Sequence, residues 1–163
     1  MTSTDGWQAF PDLNSAPAEV IFRLPASHGR VVALDDYRQR QGLCLLFLLD
    51  DEGQTWRGYL ETLAAARGDL SERDAAPLAV LPGDQETVAT LASTLSQPLL
   101  VLADADGRVR QRYLALAPDI DPDAAFIFLL DRWGAPLAVG PVEEDWIGEA
   151  LAWFDLALAR CPE

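Results

Sequence analysis

Two hydrophobic rhythms run along this chain: short unbroken apolar runs, and stretches in which apolar residues return every three or four positions. Leu43–Leu49 is apolar at nearly every position and Pro77–Leu81 repeats the pattern, which reads as strands covered on both faces. Between them, about Thr55–Arg67 sets Tyr59, Leu60, Leu63 and Ala64 on one helical face, with Gly68-Asp69 as its stop. A strand–helix–strand unit of this length predicts a right-handed parallel crossover. Pro82-Gly83-Asp84 turns the chain into a helix, about Gln85–Leu95, with Val88, Leu91, Ala92 and Leu95 at core spacing. Leu99–Leu102 follows as a strand, and Asp104-Ala105-Asp106-Gly107 has turn chemistry. Arg108–Leu116 reads as a short helix facing Val109, Tyr113 and Leu116 inward, and the proline-broken stretch Ala117–Asp123 as a loop. Phe126–Leu130 and Pro136–Val139 bracket Asp131-Arg132-Trp133-Gly134, which signals an antiparallel hairpin. The last helix, about Glu143–Arg160, repeats apolar residues at Trp146, Ile147, Ala150, Leu151, Phe154 and Leu158, and its acidic first turn and Arg160 suit the helix dipole.

Toward the N-terminus, Val20–Leu24 and Val31–Leu34 flank a glycine-containing loop, a second hairpin. Asp35–Arg40 fits one helical turn capped by Asp35, broken by Gly42. Residues 1–15 show no period and read as a tail or a strap across the surface, leaving residues 16–163 as one domain. The focus of the chain is Gly42–Leu63: a central strand, a loop at Asp50-Asp51-Glu52-Gly53, and a helix start. That is where an open α/β sheet places its chemistry, and a helix N-terminus there suits a thiolate or another anion.

Composition narrows the function classes. Half of the 163 residues are hydrophobic, enough for a packed core. Net charge is −14, pI is near 4.2, and all 12 cations are arginine. A field of that sign repels phosphate backbones and anionic lipid, so neither nucleic acid nor membrane is expected as a partner. The acidity reads first as solubility and second as a docking face for a basic partner. The first residues lack a basic segment followed by an apolar one, and no apolar run approaches the ~20 residues of a bilayer span. A cytoplasmic location is the expectation. The two cysteines, Cys44 and Cys161, resemble neither a disulfide framework nor a metal site.

Five segments in order carry a family resemblance. They are Ala16-Pro17 with Phe22-Arg23-Leu24-Pro25; Gly29-Arg30-Val31-Val32-Ala33-Leu34-Asp35-Asp36-Tyr37-Arg38; Leu43–Leu49; Leu100–Gly107; and Phe128-Leu129-Leu130-Asp131-Arg132-Trp133-Gly134. Together, over roughly residues 16–160, they resemble the thioredoxin-like superfamily, and within it the peroxiredoxin (alkyl hydroperoxide reductase / thiol-specific antioxidant) branch. The resemblance implies an α/β three-layer sandwich with a central mixed sheet, helices on both faces and an added N-terminal β-hairpin. It also implies a Cys-x-x-Cys or Thr-x-x-Cys motif at the helix start. Set against Arg57-Gly58-Tyr59-Leu60, which resembles the residues after that motif, the four positions here are Gly53, Gln54, Thr55 and Trp56. None of these can supply the thiolate nucleophile that both chemistries need. The arginine or cis-proline expected before the Phe126–Leu130 strand is also missing, where the chain reads Asp123-Ala124-Ala125-Phe126 with Pro122 nearby.

The remaining candidates are weaker. Cys44 lies near the start of the central strand, on the order of 20 Å from the loop at a strand rise near 3.3 Å, and reads as an inert core thiol. Cys161 reads as an exposed bystander, with a resolving-type disulfide as the minority reading. His28 reads as a solvated loop residue. Trp56 either plugs the former pocket or walls a ligand site, the plug being preferred. Asp50, Asp51 and Glu52, and the acids at Asp104, Asp106, Asp119, Asp121 and Asp123, read as solvated loop and turn residues, so no metal is expected. Arg57 could meet an anion at the helix start.

Three functions are consistent with this pattern. A catalytically degenerate peroxiredoxin-like protein, retained for binding or assembly in a redox-related context, comes first. A live thiol peroxidase or disulfide oxidoreductase using Cys161 or Cys44 comes second, and small-molecule or anion binding at Trp56 third. No cofactor is expected. The resemblance and five tryptophans suggest a homodimer.

Overall fold

All six residues of strand β4 (Gly42–Phe47) are buried, and their alternation builds two cores rather than one. Cys44 and Leu46, with Leu48 just beyond, enter one apolar cluster, while Leu43, Leu45 and Phe47 enter another on the opposite face. Successive strand side chains point to opposite faces, so a strand apolar throughout must be covered twice. The computed structural model describes residues 6–10, 16–49 and 54–160.

Strand β4 pairs in parallel with β5 (Ala75–Leu81) and antiparallel with β7 (Phe126–Leu130), which makes the sheet mixed. The six-stranded order is β1-β8-β7-β4-β5-β6, with β1 at Gln8–Ala9, β6 at Val101–Ala103 and β8 at Pro136–Pro141. One face is covered by α1 (Gln54–Ala65), α2 (Arg67–Ser71), α3 (Gln85–Ala92) and α5 (Trp146–Arg160), through Leu60, Leu63, Leu70, Val88, Trp153 and Phe154. The other is covered by α4 (Arg108–Ala115) and by the separate hairpin of β2 (Arg23–Pro25) and β3 (Val31–Ala33), through Val109, Tyr113, Leu24 and Val32. This is the mixed-sheet, three-layer arrangement with an N-terminal hairpin that the sequence implied.

Several boundaries differ from expectation, each for a local reason. Gly68-Asp69 lies inside α2 and does not stop the helix there; burial of Leu70 outweighs the propensity cost of a glycine. The turn that ends this region comes at Asp74, with φ 56°. The last helix begins at Trp146, so Glu143-Glu144-Asp145 precedes it, with Asp145 at φ 61°. Asp36, not Asp35, closes the short turn at Leu34–Asp36 by accepting from the Ala33 amide at 2.9 Å, while Asp35 pairs with Arg38. The strand expected over Val20–Leu24 is observed at Arg23–Pro25; Val20 instead closes a 3-10 turn at Ala18–Val20, and the Tyr113 hydroxyl donates to its carbonyl at 2.6 Å.

Two findings concern residues that lack any periodic signal. Residues 6–10, read from sequence as a tail or a strap, lie as a strap on the sheet: Gln8 pairs with Val139, and the buried Trp7 has its ring 6.4 Å from that of Trp153. Asp104, read as a solvated turn acid, is only 2% exposed. Its carboxylate accepts from the Val109 amide at 3.3 Å and the Arg110 amide at 2.9 Å, so it closes the first turn of α4. Free N–H groups at a helix start need such a partner, and negative charge suits that end of the dipole. Asp104→Ala should lower stability by about 1–3 kcal/mol, with Asp104→Asn intermediate; a urea titration of the three proteins checks this.

Candidate functional site

The site suggested by sequence lies where β4 ends and α1 begins. Leu48, just past the strand, donates its amide to the Val80 carbonyl at 3.0 Å and so continues the ladder to the edge of the loop. Asp50, Asp51, Glu52 and Gly53 lie outside the described residues, as do the side chains of Gln54 and Thr55, the first two residues of α1. Trp56 is 9% exposed and belongs to the same apolar cluster as Leu48, Leu60 and Leu81. Arg57 is exposed, and its Nη1 donates to the Thr94 carbonyl at 3.1 Å, beyond the end of α3. One turn on, the Glu61 carboxylate accepts from the Ser96 amide at 3.1 Å and from its hydroxyl at 3.2 Å. The start of α1 is therefore braced against the segment after α3, and one arm of the Arg57 guanidinium is already committed.

The neighbouring strand brings a residue that sequence reasoning did not single out. Phe126 opens β7 opposite Phe47, the last residue of β4, and the two rings stack at 4.7 Å and 9°. Arg110, from α4, lies over Phe126 at 5.6 Å. Its Nη2 donates to the Pro122 carbonyl in a short contact and to the Ala124 carbonyl at 3.5 Å. Its Nε is buried without a partner among the described residues. Desolvation lowers the guanidinium pKa, opposed by Asp123 and Asp104. A cation thus reaches the segment before β7 from a helix rather than from the strand itself. A contact spanning 12 to 14 residues leaves no trace in local periodicity.

The thiols and the histidine lie elsewhere. Cys44 is fully buried between Pro77 and Leu129, near the opposite end of β4 from the loop, and burial pushes its thiol up to about 12. Cys161 lies outside the described residues. His28 is exposed in the β2–β3 loop, where its Nδ1 accepts from the Arg30 amide at 3.2 Å. Asp106 and Asp121 accept from the Arg108 and Asp123 amides, which is turn chemistry. Among the described residues no group of three or more His, Cys, Asp or Glu is placed to hold a metal ion, and no helix is long and apolar enough to cross a membrane. Three grooves, of about 680, 580 and 630 Å³, are lined by residues other than Trp56 and Arg57.

Comparison with known proteins gives a consistent picture. The sequence model of the AhpC/TSA family matches residues 14–135, most of the chain. No curated protein sequence matches. Among solved structures, peroxidoxin BcpB from Mycobacterium tuberculosis superposes with a TM-score of 0.72 at 15% identity, covering 88% of this chain and 95% of that one. The Xanthomonas campestris bacterioferritin comigratory protein gives 0.73 at 15% identity, covering 92% and 99%. A putative thiol:disulfide interchange protein DsbE from Chlorobium tepidum gives 0.66 at 20% identity, covering 90% and 98%. At such identities these likenesses speak to the fold.

Proposed function

The chain belongs to the AhpC/TSA family, and from that premise we propose that it is a member without thiol catalysis, retained as a binding or assembly module in a redox-related setting. One observation carries this reading. The helix start that follows the central strand reads Gly53-Gln54-Thr55-Trp56, and at its Trp56 an aromatic ring is packed into the core. A thiolate is the attacking group in both peroxide reduction and disulfide exchange, and no residue of this segment can form one. Cys44 does not substitute for it, being enclosed within the sheet at the far end of the same strand. The solved neighbours named as a peroxidoxin and a thiol:disulfide interchange protein support a scaffold suited to thiol chemistry; the residues at the helix start support its absence here.

The test is peroxide consumption by the purified protein with a dithiol as reductant. We expect a rate equal to that of the protein-free control, for both hydrogen peroxide and an alkyl hydroperoxide. Turnover above that control that disappears in Cys161→Ser or Cys44→Ala would overturn the proposal in favour of an unorthodox thiol peroxidase.

A further inference from the structure

The groove of about 680 Å³ sits at the opposite end of the sheet from the emptied motif. Strand β5 starts at Ala75, paired with Gly42, but β6 joins it only where Ala79 meets Val101. The first residues of β5 therefore have no strand on the side away from β4, and the sheet has a notch there. Ala76 and Leu100, which pack toward the hairpin-side core, and Pro77, next along the strand, line the notch with apolar surface, and α2 contributes Arg67 to its wall. His28, Tyr37, Gln41, Ser27, Ser71 and Ser93 add polar groups. The volume falls within the range of small-ligand sites, which pair an apolar body with a few convergent polar groups.

Charge identifies the ligand class. The chain has 26 acids against 12 arginines; the second groove sets Glu19, Asp104 and Asp106 against Arg23, Arg108 and Arg112, and the third is lined by Glu143, Glu144 and Asp145. Among the described residues the lining of this notch includes Arg67 and no carboxylate. Arg67 makes no ion pair among the described residues. Rim groups beside it can donate: with the His28 Nδ1 accepting from the Arg30 amide, its Nε2–H is left as the ring donor. Burial, and Asp36 beside it, raise the Tyr37 pKa, which keeps its hydroxyl protonated. The Asp36 carboxylate itself is held by the Ala33 amide. A guanidinium flanked by hydrogen-bond donors suits a monoanion with a flat apolar body.

We propose that this notch binds a small aryl or short-chain carboxylate, its carboxylate on Arg67 and its apolar part against the lining of Ala76, Pro77 and Leu100. The site is independent of the redox reading, because it shares no residue with the α1 start. The experiment is a thermal-shift titration with benzoate, benzamide and benzylamine as probes, repeated on Arg67→Gln and on Trp56→Phe. A ligand that binds only the folded state raises the melting temperature in a saturable way. We expect benzoate to do so, and benzamide and benzylamine not to. Arg67→Gln, an exposed substitution, should weaken benzoate by about tenfold or more, and Trp56→Phe should leave its affinity unchanged. Absence of a saturable benzoate shift overturns the proposal. So does an equal shift from benzamide, or one that survives Arg67→Gln.

Discussion

Trp7→Ala should destabilise the protein by about 3–5 kcal/mol, the range for removing a large aromatic from a core, although Trp7 only precedes a strand of two residues. Its ring is 3% exposed and packs directly on the backbone of β8: a Cβ built at Gly140 would come within 2.2 Å of it. Gly140 therefore reserves the space that Trp7 fills, and the pair should behave as a unit. Gly140→Ala should cost about 1–3 kcal/mol by forcing the ring off its seat, and should also weaken the pairing of Gln8 with Val139. The informative measurement is the double variant. Removing the ring removes the atoms nearest the new methyl, so Trp7→Ala/Gly140→Ala should be no less stable than Trp7→Ala alone. Chemical denaturation of the four proteins gives the cycle. Additive losses would show that Trp7 and Gly140 do not share one packing site.

The same pair marks what could and could not be read from the chain. β4 and β7 are legible because they are buried on both faces, and a strand with no polar side becomes an unbroken apolar run. The turn at Asp104–Gly107 is legible because Gly107 takes φ 73°, a conformation that side-chain-bearing residues avoid. β1 is not legible: two residues contain no period, and what holds them, the Trp7 and Phe10 rings on either side and the backbone bonds to β8, involves residues more than a hundred positions away. Asp104 was misread for a related reason. Its role depends on amides five and six positions on, and the turn pattern alone does not say whether the carboxylate faces water or the helix end. At the candidate site, sequence located the strand–loop–helix junction and showed that no thiol stands there. It could not show that Arg57 reaches Thr94 or that Arg110 covers Phe126, since both contacts depend on how helices pack on the sheet. The anion-suited notch was missed altogether, because its lining is drawn from separate segments, none bearing a motif.

In a Cys161→Ser variant, Cys44 should resist a thiol reagent such as Ellman's under native conditions and react at once in denaturant. The thiol is fully enclosed and its pKa is pushed up to about 12 by burial, so at neutral pH only about one molecule in 10⁵ would hold the reactive thiolate. Labelling must then wait for opening of the sheet, and its rate should follow urea concentration as global unfolding does. The same burial links stability to alkaline pH. From an ordinary value of 9.0 the folded thiol is raised to about 12, so the unfolded chain ionises first and the folded chain keeps its proton. The contribution of the neutral thiol is complete below about pH 9 and is lost as pH climbs toward 12, at about 1–2 kcal/mol per pH unit. The buried Tyr113 hydroxyl, raised by desolvation from 10.0, adds a second loss of the same sign that begins one unit higher. Urea melts of wild type and Cys44→Ala across this range separate the two: between pH 9 and 10 the variant should lose most of its pH slope, and above pH 10 it should still fall through Tyr113. Prompt labelling of Cys44 in the native state, or identical slopes for the two proteins between pH 9 and 10, would show a thiol open to solvent and able to ionise in the folded protein.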